Sequence, residues 1–336
     1  MRLRRRIPVF IGLLIFLAAI AIVVLLRKHA PPEAARLLPG ADGFVYVNLQ
    51  WMRRADVGGH SPAAQHDPEY ERFIQETGFD FERDLAQAAI AVHYASPATG
   101  GETRYSEVVV AQVNGEKLRG YLKKVANSVE NFEHVDIFSI PVEGHTFRIA
   151  ILGVEFCTPH LCTMIAGSNH PGAEVIHGIV TRSHKMASPF AGPALLRQFY
   201  KRVPQLPLPS LGWAIFSVKP AAAGANSPLA LPGPATIVAS VQYLGDVHFR
   251  AEAFTKDEAA AQHLNLQAGS FLKIFESAEF SVSGQEHDGD FDKAMKSIQT
   301  EQRQDRVVLT AKIPSALVRK LVSEAPSGLA PGTPRN

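Results

Sequence analysis

The sequence predicts an α+β protein behind a single N-terminal transmembrane helix. Three observations lead to this class. Residues 7–26 form an apolar run without a charge. Beyond it, apolar strands return through tight turns, which implies antiparallel pairing. Several strands also lead through very short connections into amphipathic helices, which we expect to pack on one face of antiparallel sheets. Strands and helices do not strictly alternate, so a doubly wound parallel sheet is less favoured.

The apolar run is typical of a membrane anchor. Its 20 residues would span about 30 Å as a helix, at about 1.5 Å per residue, which matches a bilayer core. A secretory signal peptide has a shorter apolar region and a small-residue cleavage site, whereas Arg27 and Lys28 follow this run. The positive-inside rule places residues 1–6 in the cytoplasm, because four arginines precede the run: Arg2, Arg4, Arg5 and Arg6. We therefore expect an uncleaved anchor in a bacterial inner membrane, with the remainder periplasmic or extracytoplasmic.

The composition excludes several classes of protein. The chain has 336 residues, of which 46% are hydrophobic and 20% charged, so it is neither disordered nor fibrous. The six basic residues of the first 28 positions face no acid, and the remaining chain has a formal charge of −4 with histidine neutral. Duplex binding needs a basic face, so the exported part is not expected to bind nucleic acid. Two cysteines rule out a disulfide framework.

Composition shifts divide the exported chain. Residues 27–38 form a tether, and residues 39–203 a first α+β domain. A proline-rich segment at 204–209 then opens a second α+β domain, residues 204–325. A second stretch dense in proline and glycine, residues 220–234, is a long loop or another boundary. The last residues, 326–336, are expected to be a disordered tail.

Local signals place the elements of the first domain. Strands are predicted near 44–49 and 88–94, and Pro68 opens a helix that ends at Gly78. A hairpin is predicted around Gly144, and another over residues 156–166. Helices are then predicted over residues 171–182 and 189–203.

One design recurs three times: a strand, a short connection and a helix. Residues 107–113 lead through Asn114 into a helix. The strand that follows the turn at 245–246 ends at Thr255, which would form a capping box with Glu258. Residues 306–313 lead through Pro314 into the last helix. The recurrence is explained by two related halves that arose by duplication, or by coincidence, because this local arrangement is common.

Two segments carry a family resemblance. Residues 37–53 (LLPGADGFVYVNLQWMR) and 77–85 (TGFDFERDL), behind a single anchor helix, resemble a bacterial family of membrane-anchored proteins of unknown function. The resemblance extends over most of the exported chain and rests on residues of the fold pattern. The family has no assigned activity, so the resemblance implies placement at the membrane and gives no residue a role.

The two cysteines bracket a short turn and allow three interpretations. In a hairpin, Cys157 and Cys162 would face each other with Cα atoms about 4.5–5.5 Å apart, within disulfide range. An oxidising compartment favours that bond. A metal site that adds His160 lacks a nearby fourth ligand. A reduced, buried pair is the remaining alternative.

Histidines and carboxylates elsewhere give weaker patterns. His170, His177 and His184 recur every seven residues, about 10.5 Å apart along a helix, too far for two of them to share one ion. We expect them on a solvated face. Residues 287–292 place carboxylates at alternate positions, but Lys293 and Gln299 stand where a calcium loop needs glycine and glutamate.

Motifs of common enzyme classes are incomplete or missing in the sequence. Ser270 and Lys273 have the S-x-x-K spacing of penicillin-recognising enzymes, but no K-T-G follows. The G-x-S-x-G, G-x-G-x-x-G and P-loop patterns do not occur.

These observations favour a non-catalytic, single-pass envelope protein without a cofactor. Its exported region is expected to bind another envelope component or an apolar ligand. Two alternatives stay open: an envelope hydrolase with dispersed site residues, and a structural subunit of a membrane assembly.

Overall fold

The computed structural model describes nine stretches of the chain, and the predicted arm, anchor and tail lie outside them. No helix within these stretches is long and apolar enough to cross a membrane. The transmembrane anchor therefore stays a prediction. The described residues are 30–57, 67–96, 101–142, 144–157, 160–185, 191–205, 208–219, 233–282 and 289–324.

Twelve strands and ten α-helices make up these stretches. The strands are β1 (Gly43–Asn48), β2 (Leu85–His93), β3 (Arg104–Ala111), β4 (Ser128–Phe132), β5 (Val135–Val142), β6 (His145–Cys157), β7 (His160–Ser168), β8 (Gly212–Val218), β9 (Ala235–Tyr243), β10 (Val247–Phe254), β11 (Gln299–Arg303) and β12 (Arg306–Ile313). The helices are α1 (Glu33–Leu37), α2 (Leu49–Arg54), α3 (Pro68–Thr77), α4 (Phe81–Asp84), α5 (Gly115–Val125), α6 (Glu174–His184), α7 (Ala194–Phe199), α8 (Glu258–Val282), α9 (Gly289–Lys296) and α10 (Ser315–Glu324).

All twelve strands belong to one antiparallel sheet, which confirms the α+β class. Their order is β11-β12-β10-β9-β8-β1-β2-β3-β7-β6-β5-β4. The first strand of the predicted second domain, β8, pairs with β1 at the centre. One sheet thus runs through both predicted domains, and the boundary at 204–209 stays a prediction.

The connection order on the two sides of the β1–β8 pair is alike. On one side β1, β2 and β3 are followed by a helix, and the chain then returns to place β7 beside β3. On the other side β8, β9 and β10 are followed by helices, and the chain returns to place β12 beside β10. Duplication and coincidence both remain explanations for this order.

Helices cover both faces of the first part of the sheet, so the expectation of a single covered face is wrong. The main core places buried residues of α1, α6 and α7 against one face. A second cluster places Leu118 and Leu122 of α5 against Phe138 and Ile165. Because Ile165 and its neighbour Ala166 belong to different clusters, the two clusters lie on opposite faces. Strands that are apolar at successive positions need a cover on each side.

Two helix boundaries test the sequence signals. Gly78 ends α3 with φ 71°, which confirms the predicted C-terminus. The predicted capping box of Thr255 and Glu258 is wrong. The backbone N–H of Ala260 donates to the side chain of Asp257 at 2.8 Å, whereas the Thr255 hydroxyl donates to the backbone oxygen of Asp305. Asp257 is the N-cap in place of Thr255 because it stands directly before the first residue of α8, Glu258.

Candidate functional site

One face of the sheet carries the main core. On β9, β10, β12 and β11, the same face carries polar side chains, which form rows across the strands. Side chains two apart along a strand share a face. One row runs Gln242, His248, Lys312, and the next runs Ser240, Arg250, Thr310, Gln299. Residues of one row are up to 70 positions apart in the sequence, and only the strand register brings them together.

The helices of this half cover the opposite face. Gln302 Nε2 donates at 3.3 Å to Glu258 O, in the first turn of α8. Val318 of α10 packs with Val241 and Ile313, whose side chains point away from the polar rows. On the polar face, α7 packs as far as Phe254, through a ring contact with Phe199 at 5.3 Å.

A cleft of about 410 Å³ opens over the polar rows. Arg250 and Lys312 supply two cationic groups, and no carboxylate is among the described residues that line it. Amide, hydroxyl and imidazole groups supply further hydrogen-bond donors and acceptors. Its lining residues are Ser240, Gln242, His248, Phe249, Arg250, Ser297, Gln299, Thr310, Ala311 and Lys312.

A buried carboxylate holds Arg250 in place at the floor of the cleft. Glu252 is only 5% exposed. Arg250 donates to its Oε1 from Nε at 3.0 Å and from Nη2 at 2.6 Å. Arg306 Nη1 lies 3.6 Å from the other carboxylate oxygen. A buried carboxylate paired in this way fixes the guanidinium orientation before any ligand arrives.

Lys312 stands at one end of the cleft beside the β9–β10 turn. Its Nζ lies 3.1 Å from Asp246 Oδ2. The hydrogen bond from Lys312 holds the pKa of the Asp246 carboxyl below its usual range, and the backbone N–H of Ser315 adds to this effect. The turn therefore keeps an ionised carboxylate that positions the lysine.

The hydroxyl at the centre of the cleft is not set up as a nucleophile. Ser240 is buried, and its Oγ lies 3.4 Å from the backbone oxygen of Arg250, as a donor. An activated serine would instead donate to a general base. The lining therefore suits recognition of a polar ligand.

A second polar group lies at the other end of the same face, in the first half. The rings of His93 and His170 meet edge to face, with centroids 4.6 Å apart. Burial, with the nearby His93 and Arg104, lowers the pKa of His170 to about 4. Burial also lowers the pKa of His93. Neither Nε2 atom has a hydrogen-bond partner among the described residues.

This pair does not form a metal centre. An edge-to-face contact does not converge the two ring nitrogens on one ion. The described part of the chain holds no group of three or more metal-ligating side chains. The pair is a half-buried contact whose surroundings disfavour protonation of either ring.

The three spaced histidines have different surroundings, so the expectation of one solvated face is wrong. His177 stacks on Phe132 at 4.0 Å between ring centroids, and its Nε2 lies 2.9 Å from Glu130 Oε1. His170 precedes α6 and contacts His93, whereas His184 ends α6. The sequence gives the seven-residue spacing of these histidines, but it does not show which side chains surround each of them.

The cysteines lie diagonally across the β6–β7 hairpin. The register pairs Cys157 with His160, and Cys162 with Glu155. Their Cα atoms are 5.7 Å apart, slightly beyond the expected range, because the two residues are diagonal partners and do not lie directly opposite each other. The sulfur atoms meet as in a disulfide, and both residues are buried in the main core. The loop and the side chain of His160 lie outside the described part.

The remaining sequence candidates do not come together. Residues 287–288 lie outside the described ranges, and Asp290 is in the first turn of α9, where it pairs with Lys293 at 2.8 Å. Ser270 and Lys273 both belong to α8. The cleft residues escaped motif analysis, although His248, Arg250 and Glu252, at alternate positions of one strand, signal a polar sheet face.

Fold and site together define an α+β protein with one open sheet and a polar cleft on the face that no helix covers among the described residues of its second half. No protein-family model and no curated protein matches the sequence. Two solved structures are similar, crystal forms III and I of TP0453. Both have TM-scores of 0.42, with 11% and 10% identity; they cover 87% and 88% of this chain and 98% of the other. A likeness at this level says nothing about function.

Acid should weaken the fold through His170. Its pKa in the folded chain, about 4, lies below the roughly 6.5 of an unfolded chain, so the folded state binds fewer protons between these values. The free energy of unfolding should therefore fall as the pH drops through that window. His170→Gln should flatten this dependence in urea unfolding, and His145→Gln, at an exposed position, should not. Equal slopes for all three proteins would contradict the assignment.

The cysteine pair should be oxidised in cells. Thiol alkylation of protein from intact cells, followed by mass measurement, should detect no free thiol without reductant and two after reduction. The bond closes a short loop, so replacing both cysteines by serine should cost only about 2 kcal/mol of stability. Two alkylated thiols in denatured, unreduced protein would contradict this prediction and show that Cys157 and Cys162 are a reduced pair. Stoichiometric zinc that is lost with Cys157→Ser would instead indicate the metal site.

Proposed function

We propose that this protein is a single-pass envelope protein whose exported region binds a small polar ligand with an acidic group. The cleft over the polar rows is the observation that carries the proposal. The sequence predicts another envelope component or an apolar ligand, whereas a lining with two cations and many hydrogen-bonding groups favours a small polar ligand.

The size and floor of the cleft support this ligand class. A volume of about 410 Å³ lies within the roughly 300–1,000 Å³ of small-molecule sites. Arg250 uses Nε and Nη2 for Glu252, and no described residue is bonded to its remaining amino group, Nη1, which can donate to a carboxylate or phosphate. Lys312 adds a second positive charge. A fixed guanidinium loses little entropy when the ligand binds.

The anchor is the second part of the proposal. The apolar run at 7–26 and the four arginines before it support an inner-membrane span with a cytoplasmic N-terminus. The cleft would then face the periplasm or cell exterior. The membrane is thus one partner, and the cleft ligand is the other.

Acidic probes should bind in the cleft and neutral ones should not. Full-length protein in nanodiscs can be titrated with citrate, glucuronate and inorganic phosphate, with glucose as the neutral match, while the unfolding temperature is followed. At least one acidic probe should raise it. Lys312→Gln should weaken that binding about tenfold, or about 1.4 kcal/mol, because it removes a charge at the cleft.

Lys117→Gln is the matched control, since Lys117 is an exposed lysine on α5 in the other half of the sheet. It should bind the probe like the wild type. If no acidic probe shifts the unfolding temperature, or if Lys312→Gln binds as well as Lys117→Gln, the ligand class is wrong.

Topology is tested with reporters fused after Asn336. A periplasm-active reporter should be active and a cytoplasm-only reporter silent, because the arginine-rich arm stays inside. Neutral replacements of Arg2, Arg4, Arg5 and Arg6 should give mixed orientation. The opposite reporter pattern would overturn the proposed localisation.

A further inference from the structure

The face of the sheet opposite the polar cleft is apolar across five central strands. Two rows cross β10, β9, β8, β1 and β2 on this face, and the register places the members of each row side by side. All of them are half-buried except Gly43, whose free space the Phe216 ring fills. We call the two rows the trough floor: Ala251, Ala239, Ala214, Val45 and Ile90 in one row, and Ala253, Ile237, Phe216, Gly43 and Val92 in the other.

The trough floor has no cover among the described residues. The other face of the same strands is fully packed, since Phe44, Ala91 and Ile215 are 0% exposed in the main core. The residues of the trough floor pack against none of the buried clusters. Strands that are apolar at successive positions need a cover on each side. A continuous apolar surface that lacks this cover indicates a binding site.

Helices surround the trough floor on three sides. On the first half of the sheet, α5 packs on Phe138 and Ile165, which share the face of the floor. On the second half, α8 contacts β11 and β12, and Val307, which continues a floor row into β12, is only 5% exposed. At the end where β1 finishes, α10 packs on Val241 and Ile313. The floor therefore lies about one helix diameter, roughly 10 Å, below its walls.

The dimensions of the trough floor favour a narrow occupant. Five strands about 4.8 Å apart and two rows about 6.8 Å apart give an area of roughly 330 Å². A stable protein interface needs about 800 Å² from each partner. A second copy is also excluded by shape. Two sheets pack about 10 Å apart, so the helices beside one floor would collide with the sheet of the other copy.

The chemistry of the trough floor suits a hydrocarbon. None of its side chains has a hydrogen-bonding group, so a bound peptide or sugar would leave polar groups unpaired. Polar residues border the two rows, with Glu107 next to Ile90 and Gln302 next to Val307. Burial raises the pKa of the Glu107 carboxyl, which agrees with poorly solvated surroundings at this border.

We infer that the trough floor binds an acyl chain of a membrane lipid. An acyl chain is thin enough to lie between the helices, needs no hydrogen bond, and is stabilised by each methylene group that leaves water. On the proposed anchor, the neighbouring bilayer supplies the lipid. The inference goes beyond the polar-ligand proposal, because the two sites lie on opposite faces of the sheet.

A neutral photoactivatable probe tests the site. Full-length protein in nanodiscs is incubated with dodecanol that carries a diazirine in its chain, irradiated, digested and mapped by mass spectrometry. Dodecanol is uncharged, so the cationic cleft should not retain it. The label should fall on floor residues of β1, β8 and β9, and an excess of plain dodecanol should remove it.

Variants of the floor distinguish binding in the trough from general labelling. Val45→Glu should lower the labelling at least about fivefold, because the acyl chain would have to displace water from a carboxylate. Val129→Glu is the matched control, since Val129 is 46% exposed on the edge strand β4, and it should label like the wild type. Ala239→Phe fills the trough without a charge and should also lower the labelling. It keeps the test decisive if urea unfolding shows that Val45→Glu does not fold.

Two outcomes would overturn the inference. One is that the floor residues of the wild type take up no label that plain dodecanol removes, as expected if a protein segment covers them. The other is that Val45→Glu and Ala239→Phe label as strongly as Val129→Glu. Lys312→Gln, on the opposite face, should label like the wild type, so this inference and the polar-ligand proposal fail separately.

Discussion

The pairing of β1 with β8 is the interaction on which the rest of the structure depends. It joins residues near the start of the described chain to residues about 170 positions later, in five matched pairs. Phe44 lies opposite Ile215, and Tyr46 stacks on Trp213, all within the main core. Gly43 lies opposite Phe216, whose ring occupies the space that a Cβ would need. Without the pairing of β1 with β8, each half of the sheet would have an apolar edge strand.

The register set at this seam decides which side chains share a face. At the seam itself, α1, α6 and α7 cover the face that holds Phe44 and Ile215. Beyond β9, the same face continues into β10, where apolar positions give way to Arg250 and Glu252. The helices that follow β10 and β12 turn to the opposite face. The cleft is thus the part of one continuous face that no core helix covers among the described residues.

The sequence predicted the features that local chemistry determines. Antiparallel strands, the α3 terminus at Gly78 and the hairpin around Gly144 follow from period-two patterns and from residues with special backbone freedom. It missed features set by long-range register. Ser240, Arg250 and Thr310 share a row only because β9, β10 and β12 pair as they do. The sequence predicted helices on one face only. The second face was missed because successive residues of β3 and β7 are apolar, and this pattern was not interpreted as burial on both faces.

The two outermost strands of the sheet have a consequence for solubility. An open sheet ends in unpaired backbone donors and acceptors, which can template pairing with another chain. Both ends of this sheet are short, five-residue strands, β4 (SVENF) and β11 (QTEQR). Their charged and amide side chains would have to lose water if a second edge approached. The wide open sheet is thereby bordered by two edge strands that disfavour edge-to-edge pairing between copies of the chain.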